Sequence, residues 1–137
     1  MSTPPEVLSE VCRWVEKAEN DLRNAGYVLG LADDCPTDTV CFHCQQCAEK
    51  YLKALLIFRG VDFPRTHDLV VLLNLASGGG WPALDAGQVQ TLNRYSVEGR
   101  YPGDWDPIDL QEAGKALETA KRVRAAVRGM LPPEALP

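Results

Sequence analysis

The stretch that decides the fold is residues 37–59, which read TDTVCFHCQQCAEKYLKALLIFR and are followed by Gly60. Its apolar side chains recur at steps of three and four residues, which is the spacing of one face of an α-helix. They are Cys44, Ala48, Tyr51, Leu52, Leu55 and Leu56. Thr37 or Asp38 can cap the start of this helix, and Gly60 is well suited to end it. The stretch therefore predicts one long amphipathic helix.

The segments on either side have the same helical period. Before it, residues 6–31 carry an apolar stripe that ends at the polar break 33–36. After it, a short helical segment follows Pro64, with Thr66 as its candidate N-cap and Asp68 in its first turn. These patterns predict a helix on each side of the central one.

The C-terminal half adds two further helical segments. The first covers residues 83–98 and gives way to a loop rich in glycine and aromatic residues over 99–105. Asp106 can cap the last helix, with Pro107 at its first position, and the pattern continues to Met130. No stretch alternates as a half-buried strand would. The sequence predicts an all-α fold, an up-and-down bundle of four to five helices.

Length and composition limit the class of protein. A chain of 137 residues fits one domain, with a core over about residues 6–130, and 45% hydrophobic residues suffice to bury that core. No apolar run approaches the ~20 residues of a membrane span, and no secretory signal is recognisable, so we expect a cytoplasmic protein without a membrane partner. A net charge of −5 limits any RNA or nucleotide site to a local patch.

The five cysteines include a C-x-x-C-x-x-C pattern at Cys41, Cys44 and Cys47. Such a pattern invites a zinc or iron–sulfur interpretation. On a helix, however, the outer two thiols point about 120° apart and cannot easily share a metal. Two of them could form half of a zinc site completed by Cys12 or His43, but a four-ligand pattern is missing. We expect reduced thiols packed in the core, no metal and no cofactor.

A polar stripe runs beside the apolar face of the central helix. It consists of His43, Gln46, Lys50 and Lys53, which fall within about an 80° arc. Such a stripe is often only a solvated face. It also suits a phosphate or an acidic partner, because it offers donors without an intervening carboxylate. Glu49 can pair only with neighbours such as Lys53.

Two loop segments could also hold an anion. Arg65 and His67 stand at a loop-to-helix junction, where free backbone N–H groups favour a phosphate, although His67 could simply bond a nearby backbone group. Arg100 and Tyr101 stand in the glycine-rich loop, and this pair suits a phosphate with a stacked base. In the simpler alternative Arg100 pairs with a neighbouring carboxylate such as Asp104.

Taken together, these motifs resemble those of the HEPN domain (higher eukaryotes and prokaryotes nucleotide-binding). The resemblance is carried by HCQQCAEKYLKAL at 43–55, THDL at 66–69 and RYP at 100–102, and it covers about residues 8–128. It implies a four- or five-helix bundle, a homodimer and a gene neighbour encoding a minimal nucleotidyltransferase in a toxin–antitoxin-like module. Many members of that family are metal-independent ribonucleases with an R-x4-6-H motif.

That ribonuclease motif is incomplete in this chain. The positions after Arg100 where the histidine should fall are occupied by residues 104–107, DWDP, and no histidine follows His67. Arg59 and His67 form R-x7-H, whose gap is too long for the motif. The resemblance, with this motif incomplete, therefore favours a binding protein over a ribonuclease.

The leading hypothesis is a nucleotide- or RNA-binding component that works with a nucleotidyltransferase. Its candidate binding residues are Arg100, Tyr101, His67, His43, Gln46, Lys50 and Lys53. Arg100 would clamp a phosphate, and Tyr101 would stack on a base or serve as an adenylation target. One alternative is a metal-independent endoribonuclease toxin, with Arg100 and His67 as candidate catalytic residues. Another is a non-catalytic dimeric module for protein interaction.

Overall fold

The computed structural model describes residues 2–77, 84–96 and 106–137. Within these ranges the chain is helical and contains no strand. The α-helices are α1 (Pro5–Leu29), α2 (Thr37–Arg59), α3 (Leu69–Ser77), α4 (Ala86–Thr91) and α5 (Leu110–Arg128). Single 3-10 turns occur at Ala32–Asp34, Leu92–Tyr95 and Pro133–Ala135. The predicted all-α bundle of four to five helices is confirmed. None of the helices in the described ranges is both long and apolar enough to cross a membrane.

Helix α2 lies at the centre of the bundle. It packs against α1, α5 and α3, and more than half of its 23 residues are buried. Its largest fully buried side chains are Tyr51, Leu52, Leu55 and Leu56. The apolar face predicted for residues 37–59 therefore forms the main part of the core, and the other helices cover it.

The end of α2 turns the chain sharply at Gly60. This residue has φ of +70°, in the left-handed region that glycine tolerates best. Its N–H donates to the Ile57 carbonyl at 3.1 Å, and the N–H of Val61 donates to the Leu56 carbonyl at 2.9 Å. These two bonds form a Schellman motif. The chain then runs back toward the middle of α2, which brings residues 61–68 beside it.

Three helix boundaries differ from the sequence prediction. The last helix begins at Leu110 rather than at Pro107, because Asp109, not Asp106, caps it by accepting from the Glu112 N–H at 2.7 Å. The hydroxyl of Thr37 donates to the carbonyl of Ile108 at 2.7 Å, which ties the preceding residues to the start of α2. This tertiary contact fixes the segment outside the helix.

The other two boundaries lie at α3 and α4. Helix α3 begins at Leu69, where Asp68 rather than Thr66 accepts from the second helical N–H, that of Val70, at 2.9 Å. Helix α4 is shorter than the segment over 83–98, because Asp85 caps it and the chain tightens into the 3-10 turn after Thr91. Residues 83, 97 and 98 lie outside the described ranges.

The cysteines of α2 belong to the core, as predicted. Cys41, Cys44 and Cys47 are fully buried. Burial raises the pKa of Cys41 and Cys44 to about 12, and that of Cys47 well above its usual value. Across residues 2–77, 84–96 and 106–137, no group of three or more His, Cys, Asp or Glu side chains could hold a metal ion.

Candidate functional site

The polar stripe on α2 finds its acceptors inside the protein. Asp21 of α1, which is only 8% exposed, accepts from Nδ1 of His43 at 2.8 Å and from Nζ of Lys50. Asp21 reaches α2 because it stands on the buried stripe of α1 between Ala18 and Ala25. Asp21 thus partly neutralises Lys50 and occupies Nδ1 of His43, whereas the sequence suggested a stripe without a carboxylate.

The second carboxylate on this stripe is Glu49, which is 4% exposed. It accepts from Nε2 of Gln45 at 3.2 Å, from Nζ of Lys53 at 3.1 Å and from Nδ1 of His67 at 2.8 Å. The pairing of Glu49 with Lys53 agrees with the sequence prediction. Three donors on one buried carboxylate form a connected network whose members fix one another.

Lys53 is a structural cation in this network. Its Nζ lies 5.8 Å from the ring centroid of Trp14 and 5.9 Å from that of Phe63. Both aromatic faces attract the ammonium group, and Glu49 neutralises its charge. Lys53 is buried, so it holds the Glu49 carboxylate in place rather than reaching the surface.

His67 is the part of the network that reaches the surface. Its side chain is 68% exposed, although its Nδ1 is held by the buried Glu49. In this bond the carboxylate oxygen accepts and Nδ1 donates. The backbone carbonyl of His67 also accepts from Gln45 at 3.1 Å. The ring is therefore fixed at its inner edge, and within the described part of the chain its Nε2 has no partner.

The start of α3, next to His67, does not offer free backbone donors as the sequence suggested. The N–H of Leu69 donates to Oδ1 of Asn93 at 2.8 Å, and Asp68 accepts from the next N–H. Nδ2 of Asn93 also donates to Asp68 at 2.9 Å. The first amides of α3 are occupied, so an anion at this junction would be met by side chains. Arg65 is exposed there.

Comparison with known proteins fits this helical frame. A family model described as the HEPN domain matches residues 11–130. The chain belongs to the HEPN domain family. The resemblance seen in the three sequence motifs is thereby confirmed, and the match covers all five α-helices except the first turns of α1.

Two solved structures are similar to this HEPN chain over most of its length. One is ST0689, described as an archaeal HEPN homologue, with 27% identity, a TM-score of 0.66 and coverage of 88% of this chain and 96% of that one. The other is TT1696 from Thermus thermophilus, with 29% identity, a TM-score of 0.68 and coverage of 88% and 98%. No curated protein matches the sequence significantly.

The remaining candidate residues fall into two groups. Gln46 lies on the stripe and donates to Oε1 of Gln45 at 2.7 Å, which links it to the Glu49 network. Arg100 and Tyr101 lie outside the described residues of the HEPN domain. The structure thus brings Lys53 and His67 onto Glu49, with Gln46 linked to them through Gln45. It places His43 with Lys50 on Asp21.

Sequence reasoning overlooked both the role of Asp21 and a third ionic cluster in the HEPN bundle. In this cluster Glu19 of α1 accepts from Nε of Arg124 at 2.6 Å and from Nη1 of Arg128 at 3.2 Å. The sequence did contain a signal for Asp21, because this charged residue, three positions after Ala18, interrupts the apolar stripe of α1. Glu19 offered no comparable signal, because its two arginine partners lie more than 100 positions away in the chain.

Proposed function

We propose that this HEPN domain binds the phosphate group of a nucleotide or of an RNA end, with His67 as the contact at the α2–α3 junction. The observation that carries the proposal is an exposed imidazole whose inner nitrogen is anchored on a buried carboxylate, 2.8 Å away. An orientation fixed in this way lowers the entropic cost of using the outer nitrogen for a ligand. Anchored histidines of this kind serve as donors and as proton carriers.

The outer nitrogen of His67 can serve as a donor to such a ligand. A phosphate oxygen accepts hydrogen bonds, and an imidazole N–H can donate one to it.

Other residues would complete the site. We assign Arg100 the role of phosphate clamp, since arginine binds phosphate in a bidentate manner, and Tyr101 the role of stacking surface or adenylation target. His43, Gln46 and Lys50 would supply polar contacts from the stripe. Lys53 would act indirectly, because it holds Glu49, which in turn orients His67.

Membership of the HEPN family supports a partner as well. We propose that the chain forms a homodimer and acts beside a minimal nucleotidyltransferase in a toxin–antitoxin-like module. Light scattering on the purified protein measures its oligomeric state. Co-expression with the product of any neighbouring nucleotidyltransferase gene, followed by co-purification, tests the second partner. A monomer that retains no such protein contradicts this part of the proposal.

The ligand proposal is tested by thermal unfolding of the purified protein with ATP, AMP and a short RNA. A ligand at 100 times its Kd adds about 2.7 kcal/mol to the stability of the folded state. We expect the shift in Tm caused by the short RNA to disappear in His67→Ala and in Arg100→Ala. It should persist in Arg13→Ala, which removes an exposed arginine that, among the described residues, bonds Ser9 alone. A full shift with the RNA in His67→Ala would refute the role of His67.

The same Glu49–His67 pair favours one alternative activity, metal-independent RNA cleavage. A histidine held by a carboxylate can act as a general acid or base on a ribose 2′-hydroxyl. Cleavage of RNA that persists in EDTA and is lost in His67→Ala would establish this activity. If neither RNA nor nucleotide binds, a protein-interaction role replaces both.

A further inference from the structure

A second polar site lies in a cleft between α1 and α5. Glu16, Glu19 and Arg23 of α1 line it on one side, and Arg124 and Arg128 of α5 on the other, around a volume of about 470 Å³. This arginine cleft shares no lining residue with the Glu49 network. We infer that it is a binding site for the phosphate group of a small phosphorylated molecule, and this inference does not depend on the function proposed for His67.

The charge of the cleft wall favours an anion. Three guanidinium groups face two side-chain carboxylates there, and Asn20 and Pro137 complete the lining, so the side chains of the wall carry one more positive than negative charge in a chain whose net charge is −5. Arg23 contributes most clearly to this excess, because within the described residues its side chain bonds only to the neutral Asn20. A purely structural ion pair would need only one arginine for Glu19. The cleft instead has two arginines on Glu19, Arg124 and Arg128, and Arg23 lies beside them.

Glu19 holds the two arginines of α5 from beneath. Its Oε1 accepts from Nε of Arg124 at 2.6 Å, from Nη1 of Arg128 at 3.2 Å and from the hydroxyl of Tyr51. Burial raises the pKa of Glu19, but the hydrogen bonds from Tyr51 and Arg124 outweigh it and lower the pKa below the usual value. The carboxylate therefore stays ionised and fixes the orientation of both guanidinium groups.

This arrangement leaves donors on the open side of the cleft. Arg124 donates from Nε to Glu19 and also interacts with the hydroxyl of Tyr51, which leaves further donors on its guanidinium group. Among the described residues, Arg128 donates from Nη1 alone, to Glu19 and Tyr51, and Arg23 from Nη1 alone, to Asn20 at 3.0 Å. Guanidinium groups held by a carboxylate on one edge can bind phosphate oxygens in pairs with the other.

The size of the cleft indicates the class of ligand. Small-molecule sites commonly span about 300–1,000 Å³, and the arginine cleft lies within that range. It can hold a molecule the size of a mononucleotide or a sugar phosphate, with the phosphate group against the three arginines. A nucleic-acid strand would instead need a longer positive surface, which an acidic chain does not favour.

The test is titration calorimetry of the full chain with inorganic pyrophosphate and with AMP, alongside amide chemical-shift mapping by NMR. We expect saturable binding that shifts the amides of residues 16–23 and 124–128. Arg23→Ala and Arg124→Gln should each raise the Kd at least tenfold, because each removes a charge-assisted contact. Arg23→Ala removes no tertiary hydrogen bond, so it remains informative even if Arg124→Gln folds poorly.

Matched controls separate this site from general charge effects. Arg13→Ala removes an exposed arginine of α1 that, within the part of the chain that the structure describes, bonds Ser9 alone. Arg122→Gln removes an arginine of α5 that bonds Gln88 outside the cleft. Both should leave the Kd within twofold. His67→Ala should not alter the α1 and α5 amide shifts, which distinguishes failure of this site from failure of the proposed function.

Three outcomes would overturn the inference. They are the absence of saturable binding by either probe, an equal loss of affinity in Arg13→Ala, and shifts that avoid residues 16–23 and 124–128. Binding of a short RNA in the cleft without competition from AMP would also contradict it, because the occupant would then be a nucleic acid.

Discussion

Replacement of Glu49 by alanine should strongly destabilise the fold. The side chains of Glu49 and Lys53 are 5% and 10% exposed, so their ion pair is nearly isolated from water. Without the carboxylate, the Lys53 ammonium remains buried with no counter-charge, and Gln45 and His67 each lose an acceptor. The cost arises from these stranded donors more than from the lost contact itself.

The size of the effect follows from comparable buried pairs. Removing one partner of such a pair typically costs about 3–5 kcal/mol. Here the faces of Trp14 and Phe63 still attract the ammonium group, which places the expected loss near the lower limit, about 3 kcal/mol. With an unfolding entropy of about 2.1 cal/mol/K per residue over 137 residues, this loss lowers the Tm by about 10 °C.

Urea denaturation and calorimetry on Glu49→Ala and three comparison variants measure this loss of stability. Glu118→Ala removes an exposed pair with Lys121 and should cost less than about 0.5 kcal/mol. Glu49→Leu combined with Lys53→Met should be more stable than Glu49→Leu alone, because an apolar pair strands no charge. If Glu49→Ala stays within about 1 kcal/mol of Glu118→Ala, or if Lys53→Met brings no recovery, the argument from a buried pair is wrong.

Three further predictions concern the backbone, the thiols and acid stability. Gly60→Ala should cost about 1–2 kcal/mol, because alanine does not favour the left-handed φ of this position. Gly114→Ala should stabilise the fold by about 0.5–1 kcal/mol, because Gly114 lies inside α5 with open space for a Cβ. Urea denaturation measures both changes in the free energy of unfolding, which should have opposite signs. Iodoacetamide at about pH 8 should alkylate the half-buried Cys12 in the native protein but not Cys44, whose pKa burial raises to about 12, as mass spectrometry will show. Burial raises the pKa of Glu19, but its hydrogen bonds lower this pKa by more than burial raises it. The ionised Glu19 therefore stabilises the fold at a pH above about 4.5, its pKa in the unfolded chain, and this stabilisation is lost as the pH falls through the lower pKa of the folded state. Glu19→Gln should therefore reduce the acid-induced loss of Tm, and an unchanged pH profile would contradict this.

The central helix could be predicted from sequence because its signals are local. The apolar spacing of residues 37–59 and the glycine at 60 act within a few positions of one another, and the structure has the helix over the same range. The start of the last helix was predicted at Asp106, whereas Asp109 caps it in the structure. A bond between Thr37 and Ile108, 71 positions apart, is part of what holds the segment between them outside the helix.

Only part of the candidate site could be predicted from the sequence, because its contacts join residues that lie far apart in the chain. The position of His67 at a junction follows from the order of the segments. Its partner Glu49 lies 18 positions earlier, and they meet only because the chain reverses after Gly60. Asp21 and Glu19 pair with residues of other helices, so periodicity marks which face of α1 they occupy but not what they touch.

Helix α2 also couples the stability of two polar surfaces, the one around His67 and the arginine cleft. Glu49 holds His67, and Tyr51 holds Glu19. Glu49 and Tyr51 are only two residues apart on α2, which is about 3 Å along the helix axis. Neither surface can loosen by unwinding α2 without releasing the other. Backbone amides at the middle of α2 should therefore exchange with deuterium only when the whole bundle unfolds, all with the same free energy of opening.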